Sequence, residues 1–156
     1  MTVALRPLRD EEFQAWRDHH VGWYAADLVD NAGMPAAAAE RKAHSDLNRA
    51  LPDGLATPDN VVLAVEENGL VVGSVWFAPR EQHGLRHAFL YAIEVLDEHR
   101  GRGIGRRAME LLEGELRERG LPRVELNVFA GNARARSLYR SLGFAETAVH
   151  MGKDLG

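Results

Sequence analysis

The chain has 156 residues, 46% apolar and 27% charged, which predicts one domain spanning residues 1–156 around a single core and excludes a disordered chain. The absence of cysteine excludes disulfides, thiolate-ligated zinc, iron–sulfur clusters and a cysteine nucleophile. The net charge of −4 is too acidic for a nonspecific nucleic-acid coat, yet residues 100–140 hold ten arginines against five carboxylates, so one segment is built for an anion.

Met1 to Pro7 lacks a basic segment followed by an apolar stretch, and no run reaches the ~18 apolar residues of a membrane-spanning helix. A cytoplasmic location with no membrane partner is the expectation. Ala4 to Pro7 reads as a short first strand. Asp10-Glu11-Glu12 then offers an N-cap and first-turn acids for a helix carrying Phe13, Trp16, Tyr24 and Leu28, with Gly22 as a point where it could split. Asn31-Ala32-Gly33 reads as its stop. Pro35 fits the first turn of a second helix through Ala43 and Leu47, ending at Pro52-Asp53-Gly54.

Val61–Val65 and Val71–Ala78, joined at Glu67-Asn68-Gly69, predict a hairpin with both strands buried. Residues 79–86 read as a polar loop before a strand from His87 to Val95. Alternation there puts Phe89, Tyr91, Ile93 and Val95 on one face and Leu90, Ala92 and Glu94 on the other. A helix begins near Ile104 with a stripe of Ile104, Ala108, Leu111, Leu112 and Leu116, and ends at Gly120 and Pro122. Val124–Phe129 predicts a fifth strand, Asn132 opens a helix carrying Ala135, Leu138, Tyr139 and Leu142, and Phe144–Met151 reads as a final strand.

The octapeptide Arg100-Gly101-Arg102-Gly103-Ile104-Gly105-Arg106-Arg107 lies between a strand and a helix. Alternate glycines let backbone N–H groups approach a ligand, and the helix start adds unpaired donors with partial positive charge. Four arginines with no acid among them have the same sign, and a diphosphate suits such a cradle. The alternative is a glycine-rich connection with solvated arginines. A P-loop would need Lys and Ser or Thr after Gly105, where arginine stands. Gly103-Ile104-Gly105-Arg106-Arg107-Ala108 does satisfy the dinucleotide spacing, but Leu96-Asp97-Glu98-His99-Arg100 intervenes after Val95 and no carboxylate ends the fifth strand.

Arg100, Gly103 and Gly105 match the Arg/Gln-x-x-Gly-x-Gly/Ala signature of the GNAT superfamily of N-acetyltransferases, which residues 89–144 resemble. A second block, Leu126 to Phe144, resembles that family's fifth strand, following helix and Gly-Phe exit. The resemblance implies an α+β fold: a mixed, mostly antiparallel central sheet flanked by helices, splayed between its fourth and fifth strands. It implies acetyl-CoA as cosubstrate, with its diphosphate at Arg100, Gly101, Arg102, Gly103, Ile104, Gly105 and Arg106 and its pantetheine arm along Ile93, Glu94 and Val95. Residues 1–86 match by element order alone.

Transfer from a thioester to an amine needs a neutral amine, a donor to the carbonyl oxygen and a tolerable leaving group. An alkylammonium of pKa ~10.4 is neutral in only about one molecule in 2,500 at pH 7, equivalent to roughly 4.6 kcal/mol. Glu94, a carboxylate at a strand end among apolar neighbours, is the first candidate base, directly or through water; the alternative is an outward-facing or ion-paired side chain. His83, His87 and His150 rank below it. By the resemblance Tyr139 stands beside the coenzyme sulfur as general acid, though its placement also suits an ordinary core tyrosine. Asn132 is a helix cap or a coenzyme contact, and a backbone N–H near Val95 would serve the oxyanion. Asn127 departs from the glutamate that some protein N-terminal acetyltransferases carry, which argues against ribosomal-protein-type substrates.

Trp23, Tyr24, Met34, Trp76 and Phe77 are candidate acceptor-site lining. The expected reaction is direct acetyl transfer, with no metal, to a primary amine of a small molecule or peptide. No nucleic-acid partner is expected, and a homodimer is compatible with the reading. The rivals are a non-catalytic acyl-CoA-binding sensor and a dinucleotide-binding module.

Overall fold

The computed structural model describes residues 2–156; Met1 lies outside the described residues. The predicted hairpin forms from Val61–Glu67 (β2) and Leu70–Gln82 (β3), joined by a tight turn in which Asn68 and Gly69 both have positive φ, the geometry that matches strand twist. Apolar residues are buried on both faces of these strands, so the hairpin lies inside the sheet. Val3–Pro7 (β1) flanks β2, and Leu85–Val95 (β4) flanks β3; these pairs are antiparallel. Val124–Leu126 (β5) joins β4 in parallel, giving the order β1-β2-β3-β4-β5.

Helices cover both faces. Phe13–Ala32 (α1) and Ala36–Ala50 (α2) lie on one, around Trp16, Val21, Ala43, Leu47, Val62 and Trp76. Ile104–Glu118 (α3) lies on the other, where Ile104, Met109 and Leu112 pack on Val75, Phe77 and Leu90. Ala133–Ser141 (α4) follows β5 on the α3 side, contributing Tyr139 to that core. Arg6 ties β1 into the fold by donating to Glu66 at 2.9 Å and Glu12 at 2.8 Å.

Several expectations are corrected. Gly22 does not split α1, which runs unbroken; the ~1 kcal/mol cost of an internal glycine is outweighed by the burial of Trp16, Val21 and Leu28. Pro35 precedes the second helix as its N-cap instead of entering the first turn. Residues 79–86 are no loop: β3 and β4 extend through them to a two-residue turn at His83-Gly84, and ladder hydrogen bonds hold these polar arms without a core face. The fifth strand ends at Leu126, short of Phe129, and Phe144–Met151 forms no strand, its residues being mostly exposed and unpaired with β5.

The face assignment of β4 is also corrected. Leu90 pairs Phe77 and Ala92 pairs Trp76, leaving Tyr91 as an extra residue in a bulge. Tyr91 therefore stacks on Trp76 at 4.2 Å on the α1 face, while Ile93 and Val95 join Leu90 on the α3 face. Glu94 falls opposite them, facing α1.

Candidate active site

The bulge re-aims the main chain as well as the side chains. Ahead of it, Ala88 N–H donates to Arg123 O, towards β5. Past it, Leu96 N–H donates to Val72 O, towards β3, so by alternation Ile93 and Val95 direct their N–H and C=O groups away from β3. That outer edge is open. The β5 ladder stops at Leu90↔Leu126, and the strands part beyond it, leaving the N–H groups of Ile93 and Val95 and the Ile93 carbonyl for a guest, while the Val95 carbonyl accepts from Arg100. This is the expected splay.

The open edge runs into the glycine-rich turn. Gly101 and Gly103 have φ of 77° and 81°, which L side chains adopt only with strain, and a Cβ built at either meets nothing within 4 Å. Gly103 caps α3 without any side-chain hydrogen bond. Among the described residues, the amides of Ile104, Gly105 and Arg106 have no acceptor, the first helical closure being Arg107 N–H to Gly103 O at 3.1 Å. Three bare amides at a positive helix pole facing open space fit a diphosphate.

The arginines contribute less than their number suggests. Arg100 pairs with Asp97 at 2.8 Å and donates to Val95 O at 2.9 Å, Arg102 pairs with Glu67 at 2.8 Å, and Arg107 with Glu110 at 3.2 Å. The octapeptide contains no acid, but the fold brings carboxylates to three of its four arginines. Arg106 instead donates to the Ser141 hydroxyl at 2.8 Å, keeping its charge uncompensated among the described residues and linking α3 to α4.

On the α1 side of β4 lies a cleft of ≈ 670 Å³, whose lining includes Trp23, Asp27 and Asp30 of α1, Glu94, Arg100 and Asn132. Glu94 is buried, its side chain only 8% exposed, and burial pushes its carboxyl above the ordinary value against the pull of His19 and Arg100. His19 of α1 reaches it, Nε2 lying 2.6 Å from Oε1, and lines the same cleft with half its side chain exposed. Asn132 caps α4 by accepting from Ala135 N–H at 3.1 Å, which accounts for its capping role, while its side chain also borders the cleft.

Tyr139 projects from α4 and packs edge-on against Phe144, with centroids 5.5 Å apart. Its hydroxyl makes no hydrogen bond among the described residues. Burial, reinforced by Asp27, pushes its pKa up to about 12. Of the five aromatic and methionine lining candidates only Trp23 borders the cleft. Phe77 is buried under α3, Trp76 is buried between α1 and β4, and Tyr24 donates to Asp46 at 2.9 Å. The three histidines ranked from the sequence are elsewhere: His83 in the β3–β4 turn, His87 beside Glu125, and His150 exposed near the C-terminus. Sequence reasoning missed His19. The available signal was the spacing of His19, Trp23, Ala26 and Asp30, a helical stripe offset from the core face of Trp16, His20 and Leu28.

A mostly antiparallel sheet that opens at one parallel pair, beside a bare helix start, defines the N-acetyltransferase class of fold and not the parallel doubly wound sheet of dinucleotide-binding proteins. The chain belongs to the acetyltransferase (GNAT) family, whose model matches residues 5–144. The uncharacterized N-acetyltransferase YycN of Bacillus subtilis (strain 168) is 31% identical over 156 residues, covering 99% of this chain and 100% of that protein. The crystal structure of B. subtilis YycN matches with a TM-score of 0.92 at 30% identity, covering 99% of each chain. The mycothiol acetyltransferase of Jonesia denitrificans is 37% identical over 113 residues, covering 71% of this chain and 35% of that protein.

Proposed function

We propose that this chain moves an acetyl group from acetyl-CoA directly to a primary amine of a small molecule or peptide. The observation that carries the reading is the continuity of three features: the open edge of β4 at Ile93 and Val95, the bare amides that begin α3, and the cleft holding Glu94 on the opposite side of β4. Bound acetyl-CoA would supply an acyl group already activated as a thioester.

Residues of this chain provide the rest. The amides of Ile104, Gly105 and Arg106 and the Arg106 guanidinium hold the diphosphate, with the backbone of Gly101 to Gly103 allowing close approach. Val95 N–H, on the open edge, donates to the carbonyl oxygen as it gains charge; one such donor is typically worth about 10²–10³ in rate. The acceptor ammonium loses its proton to the acid–base groups of the cleft, where Glu94 and His19 lie 2.6 Å apart. Tyr139 donates a hydrogen bond to the departing sulfur. Its pKa of about 12 makes it a hydrogen-bond donor and not a full proton donor, since transfer to a thiolate of pKa ~8.5 is uphill by roughly 5 kcal/mol.

The cleft favours a cationic acceptor. Asp18, Asp27, Asp30, Glu94, Asp97 and Glu98 line it against Arg100 and His19, and Arg100 is already paired with Asp97. Thiol release from acetyl-CoA over a panel of primary amines tests the function. Amine-dependent release, faster for diamines than for amino acids bearing a free carboxylate, is the expected result. Coenzyme binding with no release from any amine would mark an acyl-CoA sensor instead.

A further inference from the structure

Glu94 is the buried carboxylate of the cleft, but it is poorly placed to exchange protons with an acceptor or with water. Its side chain is 8% exposed, and one carboxylate oxygen is held 2.6 Å from His19 Nε2. The His19 side chain is 50% exposed and borders the cleft. An ionised carboxylate can only accept, so Nε2 carries the proton and Nδ1 is the free basic nitrogen; among the described residues Nδ1 makes no hydrogen bond.

Resting on the acetyl-transfer reading above, we propose that His19 is the catalytic base of this site and that Glu94 is its positioning residue. Glu94 fixes the imidazole tautomer and offsets the charge that develops when Nδ1 takes a proton. The acceptor enters as an ammonium and loses two protons. The first passes to His19 Nδ1, freeing the nitrogen lone pair, and the imidazolium returns it to water through its exposed edge. The nitrogen–carbon bond then forms as the carbon–sulfur bond breaks, and the second proton leaves the nitrogen to end on the coenzyme thiol.

The groups facing His19 suit an imidazolium. Asp18, Asp27 and Asp30 line its cleft from α1, Glu94 faces it from β4, and Asp97, Glu98 and Arg100 in the turn after β4 and Asn132 at the start of α4 line the same cleft. The one buried cationic candidate beside it, His20, is held neutral by burial, with its pKa lowered to about 4. An Asp or Glu behind an imidazole is a pairing that general-base sites use widely. Here the carboxylate comes from the sheet and the imidazole from α1, 75 residues away in sequence.

The test has two arms on the full-length protein. In the first, kcat/KM for acetyl transfer is measured from pH 6 to 10 with an alkyl diamine and an alkyl monoamine, in wild type and in His19→Gln and Glu94→Gln. His19→Gln should lose ~10²-fold or more at pH 7, recover as pH approaches the amine's own pKa, and keep wild-type acetyl-CoA affinity. In the second, the His19 ring is followed by NMR in protein labelled at histidine. Its ring 15N shifts should report the Nε2-protonated tautomer in wild type, and Glu94→Leu, which removes the acceptor facing Nε2, should abolish that preference. Full activity of His19→Gln at pH 7, or a His19 tautomer indifferent to Glu94→Leu, overturns the proposal. If wild type binds acetyl-CoA but transfers to neither amine, the acetyl-transfer reading itself fails for alkylamines and takes His19's role with it. The NMR arm still reports the pair independently, so the two failures are distinguishable.

Discussion

Tyr139 illustrates how burial decides what one residue can do. A phenol at about 12 stays protonated across the working range, so in the proposed reaction it acts on the leaving sulfur through a hydrogen bond. Tyr139→Phe is expected to lower kcat by about 10–100-fold, the value of a hydrogen bond to a charged group, while coenzyme affinity is unchanged. Stopped-flow turnover together with a binding titration checks this. His20 provides a separate test. Enclosed by Trp16, Trp23, Tyr24 and Trp76, it is 7% exposed and its pKa is lowered by burial first and His19 second. A lowered folded pKa means the unfolded chain takes the proton first. The stability it contributes is present above about pH 6.5 and is lost as pH falls towards about 4, roughly 3 kcal/mol in all. Chemical denaturation of His20→Phe should show a shallower loss of stability over that interval than wild type. Glu94, Tyr139 and the Arg100–Arg106 turn were legible as candidates from residue type and position. His19 was not, because its meaning depends on a carboxylate that only the folded chain brings to it.

At the scale of elements, the site depends on the bulge at Tyr91 and on how tightly β3 approaches β4 past it. Gly73 pairs Val95 there, and a Cβ on Gly73 would lie 2.1 Å from Glu94 O, a backbone atom with little room to retreat. Gly73→Ala should therefore push the end of β4 outward. A stability loss of about 1–3 kcal/mol is expected, accompanied by weaker acetyl-CoA binding, as measured by denaturation and calorimetry. The same alanine change with unchanged stability would show that the strands have slack at this point. The bulge could not be read from the sequence for a physical reason. Both faces of β4 are buried, so Phe89, Tyr91, Ile93 and Val95 satisfy an apolar requirement in either register, and the alternation carries no mark of the extra residue. The polar arms at 79–86 misled in the opposite direction: a hairpin tip beyond the core is held by backbone pairing, helped by Arg80 lying over Phe89 and donating to the Tyr91 hydroxyl at 2.9 Å, and needs no apolar face. The helix at Ile104 was legible because it has one buried stripe, although Met109 takes the fully buried place and Leu111 a partial one.

Over the whole molecule, the concentration of arginine in residues 100–140 marked the right region but overstated its field. Arg100, Arg102, Arg107, Arg117, Arg119 and Arg123 all meet carboxylates, and Arg136 and Arg140 share Glu146. Sequence charge counts side chains, whereas the anion site depends on unpaired amides and on Arg106, the one arginine of the Arg100–Arg107 turn without a carboxylate among the described residues. The sheet order was only partly readable, since residues 1–86 carry no motif and their placement follows from pairing. On the far side of the sheet from α3, the carboxylates of the cleft balance this picture: the proposed reaction has an anionic donor at one end and a cationic acceptor at the other.

Calorimetric titration of acetyl-CoA into wild type and Gly103→Val tests the donor site most directly. Gly103 has φ of 81° and open space around a built Cβ, so valine there strains the turn and obstructs the amides of α3 without disturbing the core. The account predicts one saturable site per chain in wild type and at least ~10-fold weaker binding in the variant, whose ligand-free melting temperature falls by only about 2–8 °C. No saturable heat in wild type, or equal affinity in the folded variant, would contradict it.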